Sequence, residues 1–217
     1  MLLIKKTEYK EMKRSGLDSF YRCYIDLKPE LDGYVQHIKT WKDIQLMIPS
    51  RHNADRYIEG NCALIGDAVH TVHPMAGEGM NLAIQDAFTL GELLSYMYGA
   101  RCLDAAQLKL YEQVRKPRAE FLSSLSHLSA LAYSYWQGPW PRVRSHVLKR
   151  IERIPALHYK HMLNISGLGV WKETLLDRFI QIGLLPGSIL PKVNGKEHQY
   201  TEQDDYPWKK RGNWNDC

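Results

Sequence analysis

An aspartate with ligand-binding chemistry follows a short apolar run and a glycine in this chain. The apolar run is Ala63 to Ile65, and Gly66 then allows a sharp turn ahead of Asp67. The run predicts the end of a buried strand, and ligands of open α/β sheets bind at the carboxyl ends of strands. Because a carboxylate there can accept hydrogen bonds from sugar-like hydroxyl groups, Asp67 is a candidate binding residue.

The loop after this aspartate leads directly into a predicted helix. Pro74 stiffens the loop, while Gly77 and Gly79 lack side chains and let a flat ligand approach backbone N–H groups. Apolar residues then recur every three or four positions and predict one buried helix face, formed by Met80, Ala83, Ala87, Leu90, Leu94 and Met97. The N–H groups at the start of such a helix carry a partial positive charge of about +0.5. They suit an electron-rich carbonyl or an anion, so phosphate and a reduced flavin ring are both candidates.

Ten residues of this segment match a known motif at every spacing. The motif runs Gly-Asp-Ala-x-His-x-x-x-Pro-x-x-Gly-x-Gly-x-Asn-x-x-x-x-Asp-Ala. The matching residues are Gly66, Asp67, Ala68, His70, Pro74, Gly77, Gly79, Asn81, Asp86 and Ala87. The chain therefore resembles the single-component flavoprotein monooxygenases typified by p-hydroxybenzoate hydroxylase, a family that includes the ubiquinone-pathway hydroxylases.

The resemblance extends over about Trp41 to Leu125. Tyr111 to Arg118 is similar to the Tyr-Glu-x-x-Arg-x-Pro segment of the family, and Ile44 to Ile48 and Tyr57 to Gly60 resemble the strand and turn before the motif. The implied fold class is α/β, as the carboxyl-terminal part of an FAD/NAD(P)-binding flavin monooxygenase fold. This chain would be predominantly helical with a few strands.

The resemblance also implies an FAD site and its chemistry. Asp67 would bind the ribityl hydroxyl, Pro74 would lie over the flavin, and the backbone of Gly79, Met80 and Asn81 would face its pyrimidine end. The implied cofactor-binding residues are Gly66, Asp67, Pro74, Gly77, Gly79, Met80 and Asn81. NAD(P)H would be the electron donor, and O2 would hydroxylate or epoxidise an aromatic or unsaturated substrate. No catalytic side chain is expected because the flavin performs the chemistry.

Two other motifs of the family have no good counterpart here. No Gly-x-Gly-x-x-Gly follows Met1, and Asp32-Gly33 lacks the usual neighbours and predicts only a turn. The chain is therefore expected to be a truncated reading frame or one piece of a split enzyme. Two alternatives remain: a related flavin-dependent halogenase or reductase, and a non-catalytic remnant that binds a partner chain.

Charge and composition indicate which classes of binding partner are expected. The 217 residues carry a net charge of +5 that is spread along the chain, which disfavours nucleic-acid binding. No secretory segment follows Met1 and no run is long enough to span a bilayer. The four cysteines have no metal or disulfide spacing, so a reducing cytoplasm is expected. The aromatic stretch from Tyr133 to Trp140, with basic residues after it, suits either peripheral membrane contact or a packing helix. A companion chain or homo-oligomer stays open. No metal site is expected, since His70 and His73 lack a third ligand, and Asp86 is expected to support the helix or form a salt bridge.

The pattern along the chain predicts three zones. Residues 1–60 would be the tail of a substrate-binding domain, 61–125 the carboxyl-terminal part of an FAD-binding domain, and 126–217 a helical extension with a polar tail. Further helices are predicted from about Asp104 to Lys116, where Pro117 interrupts, then through Val143 to Ile154, and from Val170 to Ile182. After Pro191 the tail is expected to order on contact or to be mobile.

Overall fold

The computed structural model describes residues 4–135 and 137–210. The described chain is mostly helical with a few short strands, as expected from the sequence. It forms two compact units, Met1–Ile48 and Pro49–Cys217. The three predicted zones do not follow this division directly, and their assignment to domains stays a prediction.

The first unit is built from two helices and short helical turns. Helix α1 spans Lys6–Ser15 and α2 spans Leu17–Leu27. Phe20 of α2 is buried, and its ring centre lies 5.9 Å from that of Trp41. The predicted turn at Gly33 is confirmed by its backbone φ of 83°.

The strand predicted from Ile44 to Ile48 is wrong. These residues have no regular secondary structure, and Ile48 is 79% exposed. In the described part of this unit no strand lies alongside them, so the apolar run has no hydrogen-bonding partner with which to form a sheet.

The strands of the second unit form two small antiparallel pairs. Their bounds are β1 His52–Asn53, β2 Ile58–Glu59, β3 Cys62–Ala63 and β4 His70–Thr71. β1 pairs with β4 and β2 pairs with β3. The turn predicted at Tyr57 to Gly60 is found only at its end, where Gly60 turns between β2 and β3, because Ile58 and Glu59 form β2. The expected buried strand end at Ala63 to Ile65 is wrong, because β3 stops at Ala63 and leaves Leu64 and Ile65 exposed.

Six helices make up the rest of the described second unit. They are α3 Gly79–Gly99, α4 Lys109–Ser134, α5 Trp140–Arg153, α6 Pro155–Ser166, α7 Leu175–Gln181 and α8 Glu202–Asp205. The start of α3 is confirmed, and so is the helix predicted through Val143 to Ile154, although α5 ends at Arg153 and Ile154 is its C-cap. The predicted helix from Val170 begins five residues late. Thr174 caps α7 by accepting a hydrogen bond from the Asp177 N–H, and Gly169 instead forms a bridge with Gln199.

The buried face of α3 differs from the predicted one. Leu82, Asp86, Thr89, Leu93 and Met97 are buried, whereas Met80 is 75% exposed. Hydrophobic periodicity misplaced the face because it counts a polar residue as outward-facing. Asp86 is buried among ionic partners, so the face turns by about one position.

Helix α4 continues through Pro117, so the predicted interruption is wrong. Proline lacks the N–H that would bond to the preceding turn and normally kinks or breaks a helix. Val114 and Arg115 before it, and Ala119 and Leu122 after it, are all buried. Packing on both sides therefore holds the two halves in one helix.

The polar segment after Pro191 packs against the unit up to residue 210. Trp208 has no exposed surface and joins the main core, whose buried members also include Tyr57, Ile58, Val69, Leu93, Met97, Leu108, Leu110, Tyr111 and Val114. The tail was expected either to order on contact or to be mobile, and through residue 210 it is ordered against the second unit. The remainder of the predicted tail lies outside the described residues.

Candidate cofactor site

The turn at the start of the motif is shaped by Gly66. Its backbone φ is 61°, a left-handed conformation that side chains disfavour. A Cβ atom at this position would lie 3.1 Å from the Cβ of Ala83, so the turn packs directly on α3. Asp67 follows in a short 3-10 turn and is exposed. The glycine therefore brings the aspartate to the surface beside the helix.

The loop between β4 and α3 is held by hydrogen bonds between side chains and its backbone. His73 Nδ1 accepts a hydrogen bond from the Met75 N–H at 3.2 Å, ahead of the 3-10 turn Pro74–Ala76. Burial and the nearby His127 lower the pKa of His73, which favours the neutral ring that can accept this bond. The His73 carbonyl in turn accepts a hydrogen bond from Ser126 Oγ of α4 at 2.6 Å.

The loop ends at an uncapped helix N-terminus. Gly77 has a left-handed backbone with φ of 69°, and a Cβ there would meet nothing within 4 Å. The first bond of α3 runs from the Leu82 N–H to the Glu78 carbonyl at 2.9 Å. The N–H groups of Gly79, Met80 and Asn81 precede it and so lack a helical partner. This turn combines free donors with open space above the backbone.

Asp86 lies fully buried beneath the turn and contacts three groups. Its Oδ2 accepts from the Gly66 N–H at 3.0 Å and lies 2.6 Å from His70 Nε2. Its Oδ1 accepts from Arg115 Nε of α4 at 2.7 Å. Burial alone would raise the pKa of this carboxyl, but the His70 bond and the Arg115 charge outweigh it, so the pKa is lowered. The expected salt bridge of Asp86 is confirmed.

The Tyr111–Arg118 segment anchors the strands and the motif. The Tyr111 hydroxyl donates to the Leu64 carbonyl at 3.1 Å. Glu112 Oε2 accepts from the Tyr57 N–H at 2.7 Å, and Arg115 holds Asp86. Three residues of α4, spread over little more than one helical turn, thus hold the segments that precede the loop. The sequence indicated this segment only through its resemblance to the family, and the roles of these side chains were not predicted. The pattern that could have marked them is the fixed Tyr-Glu-x-x-Arg spacing.

The seven predicted cofactor residues lie along one continuous stretch of turn, loop and first helical turn. Gly66 is buried, Asp67 and Met80 are exposed, and Asn81 Nδ2 donates to Glu78 Oε2 at 2.7 Å. An exposed carboxylate, free N–H groups and two glycines without side chains form a cradle that suits a flat, hydroxyl-bearing ligand. The contact of each residue with a cofactor stays a prediction. Glu78 was missed by sequence reasoning, since nothing in the motif marks that position.

The aromatic stretch from Tyr133 to Trp140, a candidate for membrane contact, forms contacts within the protein. Trp140 Nε1 donates to the Ala132 carbonyl at 2.7 Å, and Arg144 lies 4.7 Å from the centre of the Tyr133 ring. These residues of the aromatic stretch are engaged with the protein itself, and membrane contact stays a prediction. Within residues 4–135 and 137–210, no helix is long and apolar enough to cross a bilayer. The same residues contain no group of three or more metal-ligating side chains that could hold an ion.

Comparison with known proteins places the motif in a family. Residues 24–126 match the model of an FAD binding domain. Kynurenine 3-monooxygenase of Salinispora arenicola is 36% identical over 109 residues, which are 50% of this chain and 23% of that protein. Hispidin-3-hydroxylase of Neonothopanus nambi is 31% identical over 113 residues, or 51% of this chain and 25% of that protein. The 3-demethoxyubiquinol 3-hydroxylase of Escherichia coli is 31% identical over 121 residues, or 55% of this chain and 31% of that protein.

The chain matches between 23% and 31% of the length of these relatives. No solved structure matches. The matched region includes the whole cradle and the α4 residues that hold it. By this match and by its motif, residues 24–126 belong to an FAD binding domain family, and the three relatives named above are hydroxylases or monooxygenases.

Proposed function

We propose that this chain contributes the isoalloxazine side of the FAD site of a flavin-dependent monooxygenase. The reaction would be hydroxylation or epoxidation of an aromatic or unsaturated substrate with O2 and NAD(P)H. The observation that carries this proposal is the exposed Asp67 beside the uncapped N-terminus of α3, within a region that matches an FAD binding domain. In fold terms, the matched region would be the carboxyl-terminal part of that domain.

Asp67 would orient the cofactor through its ribityl chain. Its carboxylate has no hydrogen-bond partner in the described part of the chain, so both oxygens are free to accept from hydroxyl groups. Because the side chain is exposed, binding would not require breaking an internal contact. Asp67 is therefore the side chain of the cradle on which cofactor affinity should depend most directly.

The start of α3 would hold the pyrimidine end of the flavin. The free N–H groups of Gly79, Met80 and Asn81 can donate to its carbonyl oxygens, and the helix partial charge favours added electron density there. The Asn81 side chain is engaged with Glu78, so this turn would act through its backbone. When bound and reduced by NAD(P)H, FAD itself supplies the oxygen-transfer chemistry.

Flavin retention tests the proposal. The purified chain is mixed with FAD, free ligand is removed by gel filtration, and visible absorbance is read on the protein fraction. We expect retained flavin in the unaltered chain and much less in Asp67→Ala, whose exposed side chain should leave folding intact. Equal retention by both proteins would remove Asp67 from the site. NAD(P)H oxidation with candidate aromatics would then separate a monooxygenase from a halogenase or reductase.

A companion polypeptide is a second proposal, favoured by apolar side chains around the cradle. Ile65, Met80, Ile84 and Phe88 are each more than a third exposed, and the chain matches only part of its relatives. A segment carrying a Gly-x-Gly-x-x-Gly motif could cover them and hold the FAD pyrophosphate. Co-expression with an adjacent reading frame that encodes this motif should raise flavin retention. Retention that does not change would favour a chain that binds flavin alone or a non-catalytic remnant.

A further inference from the structure

One buried carboxylate connects the two parts of the proposed cradle. Asp86 belongs to α3, whose N-terminus forms one part, and it accepts from the N–H of Gly66, the residue before Asp67. Its contact with His70 fixes the chain again four residues later. Asp67 is therefore flanked on both sides by backbone segments that the same side chain holds to the helix.

A second fixed point comes from α4. Arg115 donates through Nε to Asp86 at 2.7 Å, through Nη1 to Gln85 Oε1 at 3.0 Å and through Nη2 to the Leu82 carbonyl at 3.4 Å. One guanidinium thus binds three residues within about one turn of α3. Because both charged side chains are at most 1% exposed, the carboxylate cannot turn away to solvent.

Stability alone does not explain a buried ion pair at this place. Removing two charges from water costs about as much as their attraction returns, and well-packed apolar residues often stabilise a core equally well. What the pair adds is direction, since Asp86 can satisfy Gly66, His70 and Arg115 together in only one arrangement. In this arrangement Gly66 lies so close to α3 that an added Cβ would be 3.1 Å from the Cβ of Ala83.

We propose that Asp86 is a positioning residue for the flavin, which fixes the Gly66 turn against α3 and so sets where Asp67 stands relative to the helix N-terminus. The proposal rests on the proposed function for its ligand, but the fixing of the turn is a property of the chain itself. It gives a role to two motif positions, His70 and Asp86, that would not touch the cofactor.

The test compares two buried carboxylates in the same unit. Asp86→Asn removes the charge that holds Arg115 and weakens the bond to Gly66. Asp177→Asn is the matched control, because Asp177 is also buried, lies 2.8 Å from the buried Lys160 and accepts the Thr174 N–H. FAD affinity is measured by fluorescence at a temperature where circular dichroism shows all proteins folded. Amide hydrogen exchange is followed over residues 64–73 without FAD.

We expect Asp86→Asn to raise the Kd for FAD about tenfold and to speed exchange in residues 64–73 by a similar factor. Asp177→Asn should change both quantities less than twofold, although it also lowers the melting temperature. The double variant Asp86→Asn/Arg115→Gln leaves no charge buried alone and guards against simple misfolding. It should still weaken FAD binding.

The two readouts separate the two proposals. If the unaltered chain binds no FAD but exchange in residues 64–73 rises only in the Asp86 variants, the fixing of the turn stands and the flavin role of this chain alone fails. Equal exchange in Asp86→Asn and Asp177→Asn would overturn the positioning role. An unchanged FAD affinity in a folded Asp86 variant would overturn it as well.

Discussion

The guanidinium of Arg118 lies over the ring of Tyr200, with its central carbon 3.6 Å from the ring centre. The same side chain pairs with the Asp205 carboxylate and donates to the Asp204 carbonyl at 2.8 Å. These contacts tie the carboxyl-terminal segment to α4, the helix that also holds Asp86 through Arg115. Although its composition is polar, this segment therefore packs against the second unit as part of its fold.

Truncating Trp208 should destabilise the second unit strongly. Its ring is fully buried in the core with Tyr57 and Leu93, and replacing a buried aromatic with alanine costs about 3–5 kcal/mol. We expect Trp208→Ala to lower the free energy of unfolding by that amount in urea denaturation. Tyr135→Ala, at a side chain that is 54% exposed, is the control and should cost less than about 1 kcal/mol. A Trp208 variant as stable as the control would show that the segment does not dock in solution.

Adding a methyl group to Gly66 should destabilise the second unit. The new Cβ would lie 3.1 Å from that of Ala83 on a backbone with φ of 61°, so Gly66→Ala should cost about 2 kcal/mol. Gly91→Ala is the control within α3, where a Cβ meets nothing within 4 Å. Helix propensity predicts that it stabilises by up to about 1 kcal/mol. Thermal unfolding of both variants checks the opposite signs, and a neutral Gly66→Ala would mean that the turn relaxes easily.

Asp67→Asn should separate binding from stability. The side chain is exposed and free of internal hydrogen bonds in the described structure, so the melting temperature should move by less than a degree or two, in line with the about 0.5 kcal/mol typical of surface changes. Loss of charge-assisted bonds to the cofactor should raise the Kd for FAD about tenfold. Titration of FAD fluorescence gives the Kd. A large fall in melting temperature instead would assign Asp67 a structural role.

The free energy of unfolding should fall at acid pH because two buried carboxylates, Asp86 and Asp177, become protonated. The pKa values of Asp86 and Asp177 are both lowered from the ordinary value of 3.8. Groups whose pKa is depressed by folding stabilise the protein above their unfolded pKa, and this contribution is lost as the pH falls through the folded pKa. The free energy of unfolding should therefore decline below about pH 4. Asp86→Asn should show a shallower decline, and parallel curves for the two proteins would contradict this origin.

Only features that depend on neighbouring residues could be predicted from the sequence by itself. The motif spacing located the loop, the apolar recurrence from Met80 onward located α3 to within one residue of its start, and a salt bridge was one of the two roles expected for Asp86. Turn and helix-start signals act over a few residues, because a glycine or proline restricts its own backbone wherever it stands. These features therefore needed no knowledge of the rest of the chain.

Tertiary structure decided what depends on distant partners. The buried face of α3 turned because Arg115, from another helix, neutralises Asp86, and α4 crosses Pro117 because it packs on both sides of that residue. Trp208 joined the core because α3 and α4 leave a site for it that no local pattern announces. Burying a charge, or continuing a helix through a proline, costs free energy locally. Each occurs only where contacts with distant residues offset that cost. Those contacts exist only in the folded chain and therefore could not be predicted from local sequence patterns.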